Sequence, residues 1–305
     1  MAENFTLDSF PQSLERPYTM ILDTDAYNEI DDQFALIYSL FSPEQIRLAG
    51  VTAAPFENSR SANYADGMEK SFQEICRILE ITGKSGEVPA FRGSTSRLPD
   101  RNTPVNSAAA DFLVEQGKIA AAKGEKLIIC AIGALTNVAS ALLKSPELKE
   151  QSVVVWLGGH VLSNRNPREF NLQGDVTASQ VVFSCGVPLV QIPCLGVASS
   201  LETTLAELRK SLPQDAIGKY LVEIFADYMH HDENALKVIW DISAIAALLN
   251  PAAFDWEVVP APVLTDDCTW NGTADNLIKR ATLCRSKVIF EDLFAKIRQN
   301  HQNRK

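Results

Sequence analysis

Short apolar runs alternate with amphipathic stretches along the first two thirds of this chain. Thr19 to Asp23, Arg47 to Ala53, Lys126 to Ala131, Ser152 to Leu157 and Leu189 to Pro193 are dense in aliphatic and β-branched residues and read as strands. Between them Asn63 to Ile81, Ala108 to Ala122, Thr136 to Leu143 and Thr177 to Cys185 repeat their apolar positions with the helical period. Strand-helix alternation of this kind predicts an α/β fold, a doubly wound, mostly parallel central sheet of Rossmann-like type with helices on both faces. The last third carries further helical patterns at Leu205 to Ser211, Ala216 to Met229, Ile239 to Leu249 and Val288 to Gln299, so a helix-rich C-terminal part is expected. Neither an internal repeat nor a linker interrupts the pattern, which predicts one domain over residues 1–305.

The first predicted strand runs into the chain's densest chemistry. Asp23, Asp25, Glu29, Asp31 and Asp32 place five acids within ten residues at a strand-to-helix crossover, where open α/β sheets bind ligands. Carboxylates this close repel one another unless a cation sits among them. Asp, Glu and Asn without a neighbouring Cys or His favour an oxygen-preferring ion, Ca²⁺ or Mg²⁺, over zinc. A solvated turn whose acids favour the positive helix end is the plainer reading of the same residues.

Four more stations end a strand or open a helix. At Gly133-Ala134-Leu135-Thr136-Asn137 a freed carbonyl could ligate a metal, or Thr136 or Asn137 could simply cap a helix. After Gly158-Gly159-His160, a loop containing Asn164, Glu169, Asn171 and Asp175 suits a ligand rich in hydroxyls, and equally suits a polar surface loop. Asp241 interrupts the apolar run Val238 to Ala244, either as a buried acid needing a cation or as an N-cap. His230 and His231 look like chemistry, but adjacent helical residues face apart, so a solvated helix end is expected there.

Composition narrows the partners. With a net charge of -10 and a pI near 5.0 the chain lacks the basic footprint of a nucleic-acid binder. No signal-peptide pattern and no apolar run of about 20 residues appears, so a soluble cytoplasmic protein without membrane contact is expected. Its six cysteines are widely spaced and form no C-x-x-C pair, which argues against disulfides.

Taken together, Asp23-Thr24-Asp25, Asp31-Asp32, Gly133-Ala134-Leu135-Thr136-Asn137, Glu169-Phe170-Asn171 with Asp175, and Asp241 resemble the inosine-uridine nucleoside hydrolase family in order and spacing over about residues 20 to 250. The resemblance implies a Ca²⁺-dependent N-ribohydrolase that cleaves ribonucleosides to free base and ribose in purine or pyrimidine salvage. It implies that Asp25, Asp32, the Thr136 carbonyl and Asp241 ligate the ion, with Asp25 also acting as the base that takes a proton from water. Asp31, Glu169 and Asn171 would hold the ribose, with Asn58, Asn164 and Trp240 as further substrate contacts. A homodimer or homotetramer follows from the same analogy.

Two departures qualify the match. Five residues, Ala26 to Ile30, separate Asp25 from Asp31 where the commoner family form has three. Trp240 also stands where many members carry a His that protonates the departing base, and an indole is no acid at neutral pH. His160, Tyr27 and His230 are the replacements on offer. Two other functions remain beside the hydrolase: a nucleoside or ribose binder with weak or lost activity, and a haloacid dehalogenase-type phosphatase built on Asp23-x-Asp25. The phosphatase expects a second acid after Gly174-Asp175, and Val176 to Ser179 do not supply it.

Overall fold

The structure, a computed structural model, describes residues 5–164 and 166–303. Strands β1 (Tyr18–Thr24), β2 (Ile46–Ala53), β3 (Ala90–Phe91), β4 (Leu127–Ala131), β5 (Ser152–Leu157) and β6 (Leu189–Ile192) pair in parallel in the order β3-β2-β1-β4-β5-β6. This is the doubly wound order, and its direction reverses between β1 and β4. A small antiparallel pair, β7 (Glu202–Thr203) with β8 (Lys237–Val238), lies outside this sheet. Strands β9 (Phe254–Leu264) and β10 (Trp270–Cys284) then complete it, β10 parallel to β6 and antiparallel to the edge strand β9.

Both faces of the central strands are buried, which is why those strands are continuously apolar. In β4, Ile128 and Cys130 enter one core while Leu127, Ile129 and Ala131 enter the other. In β5, Val153, Val155 and Leu157 enter the first, Val154 and Trp156 the second. The covering helices are α1 (Asp32–Leu40), α2 (Tyr64–Ile81), α3 (Ala108–Ala122), α4 (Thr136–Lys144), α5 (Leu148–Gln151), α6 (Phe170–Gly174) and α7 (Val176–Ser184), followed by α8 (Leu205–Ser211), α9 (Ala216–Tyr228), α10 (Ile242–Leu249) and α11 (Ser286–Asn303).

The five expected strands are present, and the expected helices lie within a few residues of their predicted bounds. Two differences have physical causes. The helix read from Ile239 starts at Ile242, because Trp240 and Asp241 form the turn before it and the Trp240 backbone N–H is held by Asp31. The β9–β10 hairpin escapes the sequence because β9 carries Pro260 and Pro262, which argue against a strand but are tolerated at a sheet edge. The helix-rich C-terminal part thus contains two of the longest strands as well.

Candidate active site

The acids gather where β1 and β4 diverge. Leaving β1, Asp23 is fully buried, and its Oδ1 accepts from Thr52 Oγ1 (2.6 Å) and Asn137 Nδ2 (2.8 Å). Burial raises its pKa to about 6 in spite of those donors. Asp25 and Asp32 are each only 1% exposed. Asp25 Oδ2 accepts from Asn28 Nδ2 at 2.6 Å and Asp32 Oδ1 accepts from the Thr24 hydroxyl, but Asp25 Oδ1 and Asp32 Oδ2 have no hydrogen-bond donor. Burial and then the charge of Asp31 push Asp32 up to about 7, while burial and the charge of Asp32 push Asp25 well above the carboxylate range.

Asp31 and Asp241 stand at the N-caps of α1 and α10, yet neither side chain caps its helix. Ligand oxygens of Asp31, Asp32 and Asp241 lie within 4.8 Å of one another. Burial together with the charges of Asp31, Asp32 and Asp25 drives Asp241 well above its ordinary pKa. Buried carboxylates without donors are costly unless a cation completes them, and an all-oxygen set suits a hard divalent ion. The plain N-cap reading of Asp241 therefore does not hold, and the acid-rich turn is buried rather than solvated.

Above the acids opens a cavity of about 320 Å³. Asp31, Asp241, Glu169, Asn171, Asn58 and Trp240 line it. Glu169 caps α6, accepting from the N–H groups of Asn171, Leu172 and Gly159 at 2.8–2.9 Å, so it ties the paired-glycine turn to the helix. Asn171 Nδ2 donates to the carbonyls of Ile132 and Leu157, both at 3.0 Å, which leaves Oδ1 as the atom that can accept from a ligand hydroxyl.

Thr136 and Asn164 are placed differently from what the resemblance implies. Thr136 is the first residue of α4, and its hydroxyl donates to Asp175 Oδ2 at 2.9 Å. The residue does not line the cavity. From that turn it is Ile132, at the end of β4, that reaches the cavity. Asn164 Oδ1 accepts from the Asn166 N–H at 3.0 Å and Asn164 stays outside the lining. Asp175 caps α7 and holds the Leu98 N–H, a bracing role that leaves the phosphatase reading without its metal acid.

The longer loop contributes contacts that spacing alone did not show. Its Asn28 holds Asp25, as above, and its Glu29 reaches the cavity. Glu29 accepts from Lys237 Nζ at 2.7 Å and from the Tyr228 hydroxyl at 2.8 Å. Burial would lower the Lys237 pKa, yet the charges of Asp31 and Glu29 hold it above its ordinary value. Arg60 donates to the Glu29 carbonyl at 2.8 Å and stacks over Tyr27, 4.3 Å from the ring centre.

Comparison with known proteins decides the family. The model of the inosine-uridine preferring nucleoside hydrolase family matches residues 20–291. The chain belongs to this family. It is accordingly an N-glycosyl hydrolase of ribonucleosides. A probable uridine nucleosidase 2 of Arabidopsis thaliana is 29% identical over 279 residues, covering 82% of this chain and 83% of the relative. The pyrimidine-specific ribonucleoside hydrolase RihA of Salmonella dublin is 27% identical over 266 residues, covering 77% and 80%. Among solved structures, the plant nucleoside hydrolase PpNRh1 superposes with a TM-score of 0.71 at 22% identity, over 92% of this chain and 99% of that one.

In this nucleoside hydrolase Gly133 makes a close approach that a larger residue would spoil. A Cβ there would stand 3.0 Å from Asp25 Cγ and Oδ1 and 3.0 Å from Ala54 Cβ. Gly133→Ala is expected to displace the Asp25 carboxylate by a few tenths of an ångström and lower kcat roughly tenfold, since misplacement by about 1 Å costs about 10²-fold. Steady-state kinetics beside a melting curve test this, because a loss of stability without a kcat loss contradicts it.

Proposed function

We propose that the protein hydrolyses the N-glycosidic bond of ribonucleosides with Asp25 as the base and Ca²⁺ as the resident ion. The reading rests on one observation: at the sheet's switch point Asp25 and Asp32, each with a donorless oxygen, cluster with Asp31 and Asp241, and these last two line a cavity. Asp25, Asp32 and Asp241, with the Ile132 carbonyl in place of Thr136, would hold the ion. A calcium ion accepts about 6 to 8 oxygens, which leaves positions for water and a vicinal diol. When bound, it would lower the pKa of water and help orient the ribose.

This chain's own residues supply the rest. Asp31 sits with one oxygen fixed by the Trp240 N–H, beside Asn171 Oδ1 and Glu169, and together they present acceptors to the ribose hydroxyls. Asp25 accepts the proton of the attacking water through the oxygen that Asn28 leaves free. The buried negative charge of the acids favours the positive charge that develops on the sugar ring as the bond breaks. Trp240 supplies an aromatic wall on which a base can stack. Six cysteines free of disulfides fit a reducing cytoplasm, and no helix among the described residues is long and apolar enough to cross a membrane. Assembly as a homodimer or homotetramer of single-domain chains rests on analogy, and light scattering reads it.

The test is release of reducing sugar from a nucleoside panel, with Ca²⁺ present and after chelation. Uridine comes first, because two sequence relatives are named for uridine or pyrimidine substrates. Metal-dependent release supports the proposal. Saturable nucleoside binding without free sugar would favour the binder reading that Trp240 raises.

A further inference from the structure

Among the cavity side chains that the reading above leaves idle is a histidine. His160 is 8% exposed and lines the same cavity as Trp240 and Leu195. It follows Gly159, whose φ of +71° turns the chain at the end of β5. The backbone N–H of Leu195 donates to His160 Nδ1 at 3.2 Å. A ring nitrogen that accepts a hydrogen bond carries no proton, so the proton of the neutral ring resides on Nε2. Burial moves the His160 pKa below its ordinary value, against a smaller opposing pull from the Gly159 carbonyl, which favours the neutral ring. Protonating Nδ1 would set it against the Leu195 N–H, so the backbone also disfavours the imidazolium.

Tyr27 and His230, the other residues that the sequence offers for the departing base, fall away on position. Tyr27 lies beneath Arg60 and lines a separate depression with Gln33 and Glu74. His230 sits beyond the end of α9 at a positive φ of 52°, outside the cavity lining. Trp240 lines the cavity but has no titratable group.

We propose that His160, as a neutral imidazole, donates its Nε2–H to the leaving base and stabilises the negative charge that gathers there as the C1′–N bond breaks. This rests on the hydrolase reading. The bonding electrons go to the base, the water oxygen bonds to C1′, and the water proton goes to Asp25. The base leaves hydrogen-bonded to His160, takes its proton from solvent, and the imidazole is unchanged. The substrates so selected are ribosides of heterocycles with an acceptor close to the glycosidic nitrogen, such as a pyrimidine O2 or a purine N3. Neutral hydrogen-bond donors aimed at developing charge contribute about 10²- to 10³-fold in comparable sites.

The experiment compares wild type, His160→Phe and His160→Gln on uridine, inosine and 4-nitrophenyl β-D-ribofuranoside. Nitrophenolate is a stable anion and needs little help to depart. His160→Phe is therefore expected to lose about 10²-fold in kcat on the nucleosides and less than tenfold on the nitrophenyl riboside. His160→Gln, which can still donate, is expected to recover part of the nucleoside rate. Equal losses on both substrate types, or no loss on nucleosides, overturn the role of His160 alone. Wild type that cleaves none of the three compounds overturns the hydrolase reading and this inference with it.

Discussion

Asp25→Asn should abolish nucleoside turnover while the protein stays folded. The substitution keeps the volume and the approach to Gly133 but removes both the charge and the proton acceptor. General-base participation alone is worth about 10² to 10⁴ in rate. Weakening of the proposed calcium site, which relies on few carboxylates, would add to the loss, so kcat is expected to fall at least 10⁴-fold. The melting temperature in chelator should hold or rise, because one fewer buried acid is then crowded into the cluster. Within tenfold of wild-type turnover in Asp25→Asn would remove Asp25 from the mechanism.

Calcium should stabilise the protein, and more strongly at pH 8 than at pH 5. In the metal-free chain Asp23 and Asp32 titrate at about 6 and about 7, and Asp25 and Asp241 well above the usual range. Raised folded-state values mean that the native state binds more protons than the unfolded chain between about pH 4 and pH 7, so metal-free stability falls as pH rises through that window. A calcium ion bound among these acids would replace those protons and reverse the trend. At about 100 times its Kd it contributes about 2.7 kcal/mol, which for a chain of this size raises Tm by roughly 5 °C. Melting curves with calcium or chelator at the two pH values read the result, and a metal-free protein more stable at pH 8 than at pH 5 would contradict it.

Much of this site is legible in the residue order. Buried parallel strands must be apolar along their whole length, so the sheet announces itself, and acids at the end of β1 mark the switch point before any geometry is known. What the order hides are contacts that depend on direction. Thr136 and Ile132 stand four positions apart in one turn, and only the start of α4 decides which of them reaches the cavity. Whether Asp241 caps its helix or joins Asp32 is likewise a matter of side-chain direction, which periodicity does not record. The accepting role of His160 Nδ1 needs the Leu195 backbone, 35 positions away.

The grip of Lys237 and Tyr228 on Glu29 has a consequence for redesign. It joins the loop at 26–30 to a segment about two hundred positions later. Recombining this chain with a relative that has the shorter loop would remove Glu29 and leave the Lys237 ammonium, 9% exposed, with Asp31 as its remaining counter-charge. The two segments form a single cassette for swapping, and a crossover point placed between them breaks what either parent keeps whole.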